Sequence, residues 1–407
     1  MTEDPRPMSS RHVMINGLSI GTGGGYTVGK ELFRTIAQAR PGWTVTLYAI
    51  TGHKLHHELE AEDLPSNCRL EWAPENTKAI RDRVKYERGP MTRWVNSSGI
   101  DAVVQLNAQL VPGLNCPTLA HFQDPMPYRR EAWPPGIRGQ ILTFLKRRAN
   151  RASLKGAAMC GWTSMYLRDL ICEHWDTWPE QSVVFYNGVP EEWIASAEAG
   201  LPDWSSRPME ILSLSNVNPH KRQDLVIKAL PELVAMPGMA ELVYRIVGNC
   251  PDDYRAYLEG VADAAGVRDR VVIEGRVPLE RVEECLQNAK AFCLMSVCES
   301  FGIPAIEAMR YGAPVVVSDC CAHPEVCADA ASLVPMDDIS ALARQMHEVL
   351  TDETKAEDLR RKGVENIKRF SWAAIGAHMA DCVDEMIAGF PNGKLAPLPP
   401  AAAPATP

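Results

Sequence analysis

Short apolar runs recur along the chain, each closed by a polar, glycine or proline turn and followed by a stretch with apolar residues three and four apart. This pattern predicts strands at 13–20, 45–50, 102–106, 118–122, 157–162, 183–186, 210–214, 242–247, 271–273, 291–295, 314–317 and 332–334. Between them it predicts helices at 28–39 and 164–172, one beginning at Lys221 or Arg222, one ending near Tyr311, and others at 339–350, 354–368 and 373–387. Strands that are apolar throughout, alternating with amphipathic helices, belong to parallel sheets covered on both faces. The fold class is α/β, and 407 residues are enough for two or three domains. The Ser- and Pro-containing stretch 202–208 reads as a hinge between them.

The densest pattern lies at 291–319, AFCLMSVCESFGIPAIEAMRYGAPVVVSD. A buried strand at 291–295 leads into a polar turn, Ser296 to Gly302, and then a helix. Pro304 suits the first helical position, and Gly312 caps the end. Unpaired N–H groups around Gly302 and Ile303 make the helix start a site for an anion or a sugar oxygen. Glu299 in the turn and Glu307 on the helix can accept hydrogen bonds from hydroxyls, and a vicinal diol suits one carboxylate. Spacing alone, however, is equally what two ordinary surface glutamates would give.

Composition narrows this only broadly. Apolar residues are 46% and charged ones 23%, an ordinary globular balance, and the net charge of −9 argues against general nucleic-acid affinity. No apolar run reaches the ~18 residues of a membrane span. The first residues lack a basic-then-apolar secretory pattern, which points to the cytoplasm. Twelve scattered cysteines suggest free thiols rather than a disulfide framework. Five of them gather at 293–327 near His323, but no C-x-x-C pair accompanies them to suggest zinc. No D-x-D triplet occurs, so no metal site is expected. Gly21 to Gly25, after the first strand, is a phosphate-cradle pattern, although the acidic residue of a dinucleotide site is missing after the second strand. Two basic stretches, 78–93 and 138–155, stand out against the acidic whole. Ile141, Leu142, Phe144, Leu145 and Ala149 give the second an apolar face, compatible with an anionic membrane or simply with a solvated helix.

Glu-Ser-Phe-Gly-Ile-Pro-Ala-Ile-Glu-Ala at 299–308, then Gly-Ala-Pro-Val-Val-Val-Ser, resembles the E-x7-E signature of retaining, family-4 type glycosyltransferases with the GT-B fold. The resemblance implies two Rossmann-like domains facing each other across a cleft. The boundaries are 1–189 for an acceptor-side domain, 190–208 for a linker and 209–372 for a nucleotide-sugar domain. A helix at 373–389 returns to the first domain, and 390–407 form a disordered tail. It also implies roles. Glu299 holds donor-sugar hydroxyls, Glu307 the ribose, and Lys221 the donor diphosphate, with Arg222 beside it. Ser215 stands where the family usually has an arginine. Gly24 and Gly25 contact the diphosphate, Arg276 and Val277 the base, and Phe301, Gly302 and Ile303 complete the donor site. His121 is the catalytic histidine, with Asp124 in reserve. The implied activity is metal-independent hexosyl transfer, with retention, from a nucleoside-diphosphate sugar as co-substrate and with no cofactor. The acceptor is a glycan, a lipid or a small molecule, and the basic helices allow contact with the inner face of a membrane. Alternatives are a sugar-nucleotide epimerase and a non-catalytic sugar-nucleotide sensor.

Overall fold

The computed structural model describes residues 10–20, 24–60, 62–134 and 136–389. Two compact units divide the chain: residues 1–128, 134–188 and 372–407, and residues 129–133 and 189–371. The expected disordered tail, like residues 21–23 of the glycine loop, lies outside the described residues.

The first unit contains β1 (His12–Asn16), α1 (Gly24–Ala39), β2 (Thr44–Ile50), α2 (Lys54–Glu60), β3 (Cys68–Ala73), α3 (Ile80–Tyr86), α4 (Thr92–Ser97), β4 (Ala102–Leu106) and β5 (Thr118–Phe122). It continues through α5 (Gly136–Gly156), β6 (Met159–Trp162), α6 (Met165–Trp175) and β7 (Ser182–Val184). The strands form one sheet in the order β3-β2-β1-β4-β5-β6-β7, with every pairing parallel. Because side chains alternate along a strand, Val13 and Ile15 of β1 enter a core with Leu32, Phe33 and Ile36 of α1, while Met14 joins Tyr48, Met91 and Val103 on the opposite face. The first strand ends at Asn16, short of the expected Ile20, where Gly17 N–H bonds the Tyr48 carbonyl and the chain turns.

The second unit holds α7 (Glu191–Glu198), β8 (Glu210–Leu214), α8 (Gln223–Val234), β9 (Val243–Val247), α9 (Asp252–Ala264), β10 (Val271–Gly275), α10 (Leu279–Asn288), β11 (Ala291–Leu294) and α11 (Ile303–Arg310). Then come β12 (Val315–Ser318), α12 (His323–Cys327), β13 (Ala331–Val334), α13 (Ile339–Thr351) and α14 (Glu353–Ile367). Its sheet order is β10-β9-β8-β11-β12-β13, again parallel throughout. The stretch 190–208 is not a bare linker. It contains α7, and the chain passes between units at 188/189 and again at 371/372.

In both sheets the strand order reverses direction once, between β1 and β4 and between β8 and β11. At such a point adjacent strands send their following loops to opposite faces, leaving a crevice beyond the carboxyl ends where ligands bind. No described helix is long and apolar enough to cross a membrane.

The last helix, α15 (Trp372–Ala388), packs within the first unit, where Trp372, Met379, Val383 and Met386 are buried in the core shared with α1. The contact is close: a Cβ on Gly376 would lie 2.2 Å from Thr35 Oγ1 and 2.9 Å from the Thr35 backbone carbon. Backbone cannot yield as a flexible side-chain end can, so Gly376→Val should cost about 1–3 kcal/mol by overpacking. Urea unfolding measures this, and an unchanged midpoint would show that α15 does not bear on α1.

Candidate functional site

The switch point of the second sheet builds a polar web. The loop after β8 carries Pro219–Lys221, and the loop after β11 carries Ser296–Gly302. The two are stitched at His220, whose carbonyl accepts from Val297 N–H at 2.9 Å and from Ser296 Oγ at 3.2 Å. Cys298 N–H then bonds back to Ser296 Oγ at 3.3 Å. The Ser296 carbonyl in turn accepts from Ser318 Oγ, at the end of β12, at 2.6 Å. Ser296 and Ser318 are fully buried, so each bond replaces hydration that folding removed.

This stitching brings Lys221 to Glu299 as an ion pair in which both side chains are largely covered. Burial alone would raise the Glu299 carboxyl, but the Lys221 charge and its hydrogen bond outweigh it and hold Glu299 below the ordinary glutamate value. Glu307, four residues into α11, is different. Burial pushes its pKa up to about 7, opposed only by Arg310 one turn along. Neither residue is thus the ordinary surface glutamate that spacing alone allows.

Helix α11 begins as expected from its glycine. Gly302 is the N-cap at φ +90°, a left-handed conformation that side chains resist. Ile303 is the first helical residue and Pro304 the second, one position later than the sequence suggests. A Cβ on Gly302 would sit 3.2 Å from the His323 ring. His323 itself was read in sequence only as a neighbour of the cysteines, yet it lies fully buried against the start of α11. Its tautomer follows from its neighbours. The Ser318 hydroxyl gives its proton to Ser296, so at 2.9 Å it must accept from His323 Nδ1, and the Ser318 carbonyl accepts from the same nitrogen at 3.2 Å. Nε2 therefore carries a lone pair, buried without a hydrogen-bond partner, beside Gly302. Burial keeps the ring neutral by lowering its pKa.

Other expected residues are placed differently. The Arg222 guanidinium is held by Asp224 at 3.2 Å and Asp337 at 2.9 Å, so it is not a free clamp beside Lys221. It lines a separate concavity of about 530 Å³ with Lys228, Tyr254 and Tyr257. Ser215 accepts from Gln223 Nε2 at 3.2 Å, and Gly248 packs so closely over it that a Cβ would lie 1.8 Å from the Ser215 carbonyl oxygen. The Phe301 ring is buried against Phe370, with centroids 5.0 Å apart, and supports the turn rather than facing a ligand. Arg276 and Val277 follow β10 at the sheet's edge, Arg276 exposed and Val277 partly covered.

In the first unit, Gly24 and Gly25 open α1. A Cβ on Gly25 would lie 3.8 Å from Gln123 Oε1, and Gln123 Nε2 sits 3.1 Å from His121 Nδ1. With Nδ1 accepting, the proton resides on Nε2. Burial at the end of β5 drops the His121 pKa to about 4, so it is neutral, and its Nε2 is buried without a hydrogen-bond partner. Asp124 is paired with Lys146 of α5 and accepts from Met126 N–H at 2.9 Å. At the switch point itself, Asn16 donates to Gln105 at 2.8 Å and to Glu87 at 3.3 Å, a buried network absent from the sequence expectations.

With this geometry in view, comparison with known proteins is decisive for the second unit. Residues 202–366 match the family described as glycosyl transferases group 1. The second unit is thus similar in sequence to the group 1 glycosyltransferases. Over 164 residues it is 31% identical to a phosphatidyl-myo-inositol mannosyltransferase of Mycolicibacterium smegmatis, covering 40% of this chain and 41% of that one. Over 98 residues it is 35% identical to an O-antigen chain mannosyltransferase B of Escherichia coli, covering 24% and 26%. These matches thus span well under half the length of either relative. The GT-B fold extends further. A sucrose-phosphate synthase of Thermosynechococcus elongatus superposes with a TM-score of 0.71 at 18% identity, covering 93% of this chain and 99% of that one. Anabaena HepE in complex with UDP and glucose gives 0.67 at 16%, covering 91% and 98%.

The raised Glu307 pKa has a stability consequence. The folded chain holds this proton more tightly than the unfolded one, so the contribution is present below about pH 4.5 and is lost as pH rises through about 7. Glu307→Gln keeps the neutral shape and should be more stable than wild type at pH 8 by about 1–3 kcal/mol, with little difference at pH 4.5. Denaturant melts at both values measure this, and a gain that does not depend on pH would show that Glu307 is not the titrating group.

Proposed function

We propose that this chain transfers a hexose from a nucleoside-diphosphate sugar to an acceptor hydroxyl, with retention of the anomeric configuration. The observation that carries the reading is the Lys221–Glu299 pair at the start of α11, beside the partly covered carboxyl of Glu307. As the sugar–phosphate bond breaks, negative charge grows on the diphosphate and the sugar becomes oxocarbenium-like. The Lys221 ammonium and the N–H groups at the α11 start stabilise the leaving phosphate. Glu299, kept ionised, accepts from sugar hydroxyls, and the unprotonated His323 Nε2 offers a second acceptor. Glu307 takes the ribose diol. In the first unit, His121 positions Gln123 and the β5 end rather than transferring a proton. No cofactor or metal is assigned a role.

Several relatives are named as mannosyltransferases, and HepE is described with UDP and glucose, so GDP-mannose and UDP-glucose are the first donors to try. Each diphosphate is screened by its effect on the melting midpoint of wild type and of Glu307→Ala, since a ligand of the folded state stabilises by mass action. One series should stabilise wild type and lose that effect in the variant. With an acceptor found, Lys221→Ala should lower kcat/KM by about 100- to 1,000-fold, and NMR of the product should show the donor's anomeric configuration. Inversion, or binding of every diphosphate undiminished by Glu307→Ala, would contradict the assignment.

The acceptor side includes an anionic membrane face. Helix α5 leaves Ile137, Ile141, Leu142, Phe144 and Leu145 exposed, Ile137 at 77%, rather than packing them inward. Arg138, Arg148, Arg151 and Lys155 of the same helix are also exposed. Apolar side chains ringed by cations fit anionic lipid headgroups. Wild type should float with phosphatidylglycerol vesicles and not with phosphatidylcholine vesicles, and Phe144→Glu with Arg148→Glu should abolish this. Equal flotation of the double variant would remove α5 from the contact.

A further inference from the structure

Just after β12, the chain carries two adjacent cysteines that the transfer reaction does not use. Cys320 and Cys321 are both partly exposed, and their sulfurs lie 3.5 Å apart. The side chains converge because Cys321 adopts a left-handed backbone, φ +59°, which folds both back toward the Ser296 carbonyl. That carbonyl, which accepts from Cys320 Sγ at 3.3 Å and from Cys321 Sγ at 3.9 Å, opens the turn 296–302. The thiol pair is thus bonded to the turn that carries the carboxylate of the donor site.

The separation of the sulfurs selects what they can hold. A disulfide needs Cα atoms about 4.4–6.8 Å apart, and consecutive residues are held at about 3.8 Å, so closing this pair upon itself is strained. One soft atom bound by two thiolates at about 2.3 Å each sets a sulfur separation of about 3.8 Å at a tetrahedral angle, and a pyramidal centre with narrower angles sets less. The observed separation is of that kind. Zinc would want further ligands, and among the described residues no group of three or more His, Cys, Asp or Glu is placed to hold a metal. A thiophile content with two sulfurs fits best. Cys320 is predisposed to react, since contact with the Cys321 thiol, and secondarily with Ser318, holds it below the ordinary thiol value.

We propose that Cys320 and Cys321 form a bidentate site for trivalent organoarsenicals, and that filling it loosens the turn bearing Glu299. The step is a condensation without redox change. An arsenoxide, R–As=O, forms two As–S bonds, the two S–H bonds break, and both protons leave with the oxygen as water. Because the two S–H groups are consumed, the Ser296 carbonyl at the start of that turn loses both thiol donors. This inference stands apart from the identity of the donor.

The test treats the full chain with phenylarsine oxide in excess monothiol, which competes poorly with a chelating pair. Intact-mass and peptide analysis should find one adduct per chain, spanning Cys320 and Cys321, and removed by 2,3-dimercaptopropanol. Cys320→Ser and Cys321→Ser should each lose it, whereas Cys250→Ser, at a separate thiol, should keep it. Amide hydrogen exchange over 296–302 should rise in the adduct relative to the free protein. An adduct mapped to other cysteines, or retained in either single variant, overturns the site. An adduct at this pair with unchanged exchange over 296–302 overturns its coupling to Glu299.

Discussion

The second unit depends on a single carbonyl, that of His220, accepting both Val297 N–H and Ser296 Oγ. Strands β8 and β11 are neighbours only because the sheet order reverses there, and their loops would otherwise leave in different directions. The shared carbonyl ties the loops together beyond the sheet. Ser296 then passes the constraint to β12 through Ser318, and Ser318 fixes the ring of His323. Three consecutive strands of the sheet order are in this way locked to one small polar cluster, and everything chemical in the unit is hung from it.

A charge pair placed on such a support is held rather than merely formed. Lys221 and Glu299 are both mostly covered, so each relies on the other for what water no longer supplies. Removing one partner of a buried pair commonly costs about 3–5 kcal/mol. Glu307 has no such counter-ion and answers by keeping its proton to about pH 7. Two carboxyls on one turn and helix therefore have opposite electrostatic characters, one ionised and one poised. That difference arises from Lys221 reaching one of them and only Arg310 bearing on the other.

The parallel α/β architecture was legible because strands covered on both faces cannot hide: 102–106, 118–122 and 210–214 were read with their observed limits. Strand β3, Cys68–Ala73, was missed because it is an edge strand whose residues are mostly half-exposed, so its apolar signal is weak. The motif singled out the glutamates, Gly302 and Lys221, and the structure pairs Lys221 with Glu299 and places Gly302 at the α11 start. His323, Ser318 and Gln123 were not legible, since their roles rest on contacts made by folding rather than on spacing. Phe301 and Arg222 have partners that the motif does not show. Their positions in the motif suggested ligand contact, but the ring is needed under the turn and the guanidinium is taken by Asp224 and Asp337.

The most direct test of the central claim is a crystal structure of the chain soaked with the diphosphate that best stabilises it. The account predicts phosphate oxygens at the N–H groups that open α11, within reach of the Lys221 ammonium, and the ribose diol on Glu307. Nucleotide bound instead in the concavity of Arg222, Lys228, Tyr254 and Tyr257, with the Lys221–Glu299 pair undisturbed, would contradict it.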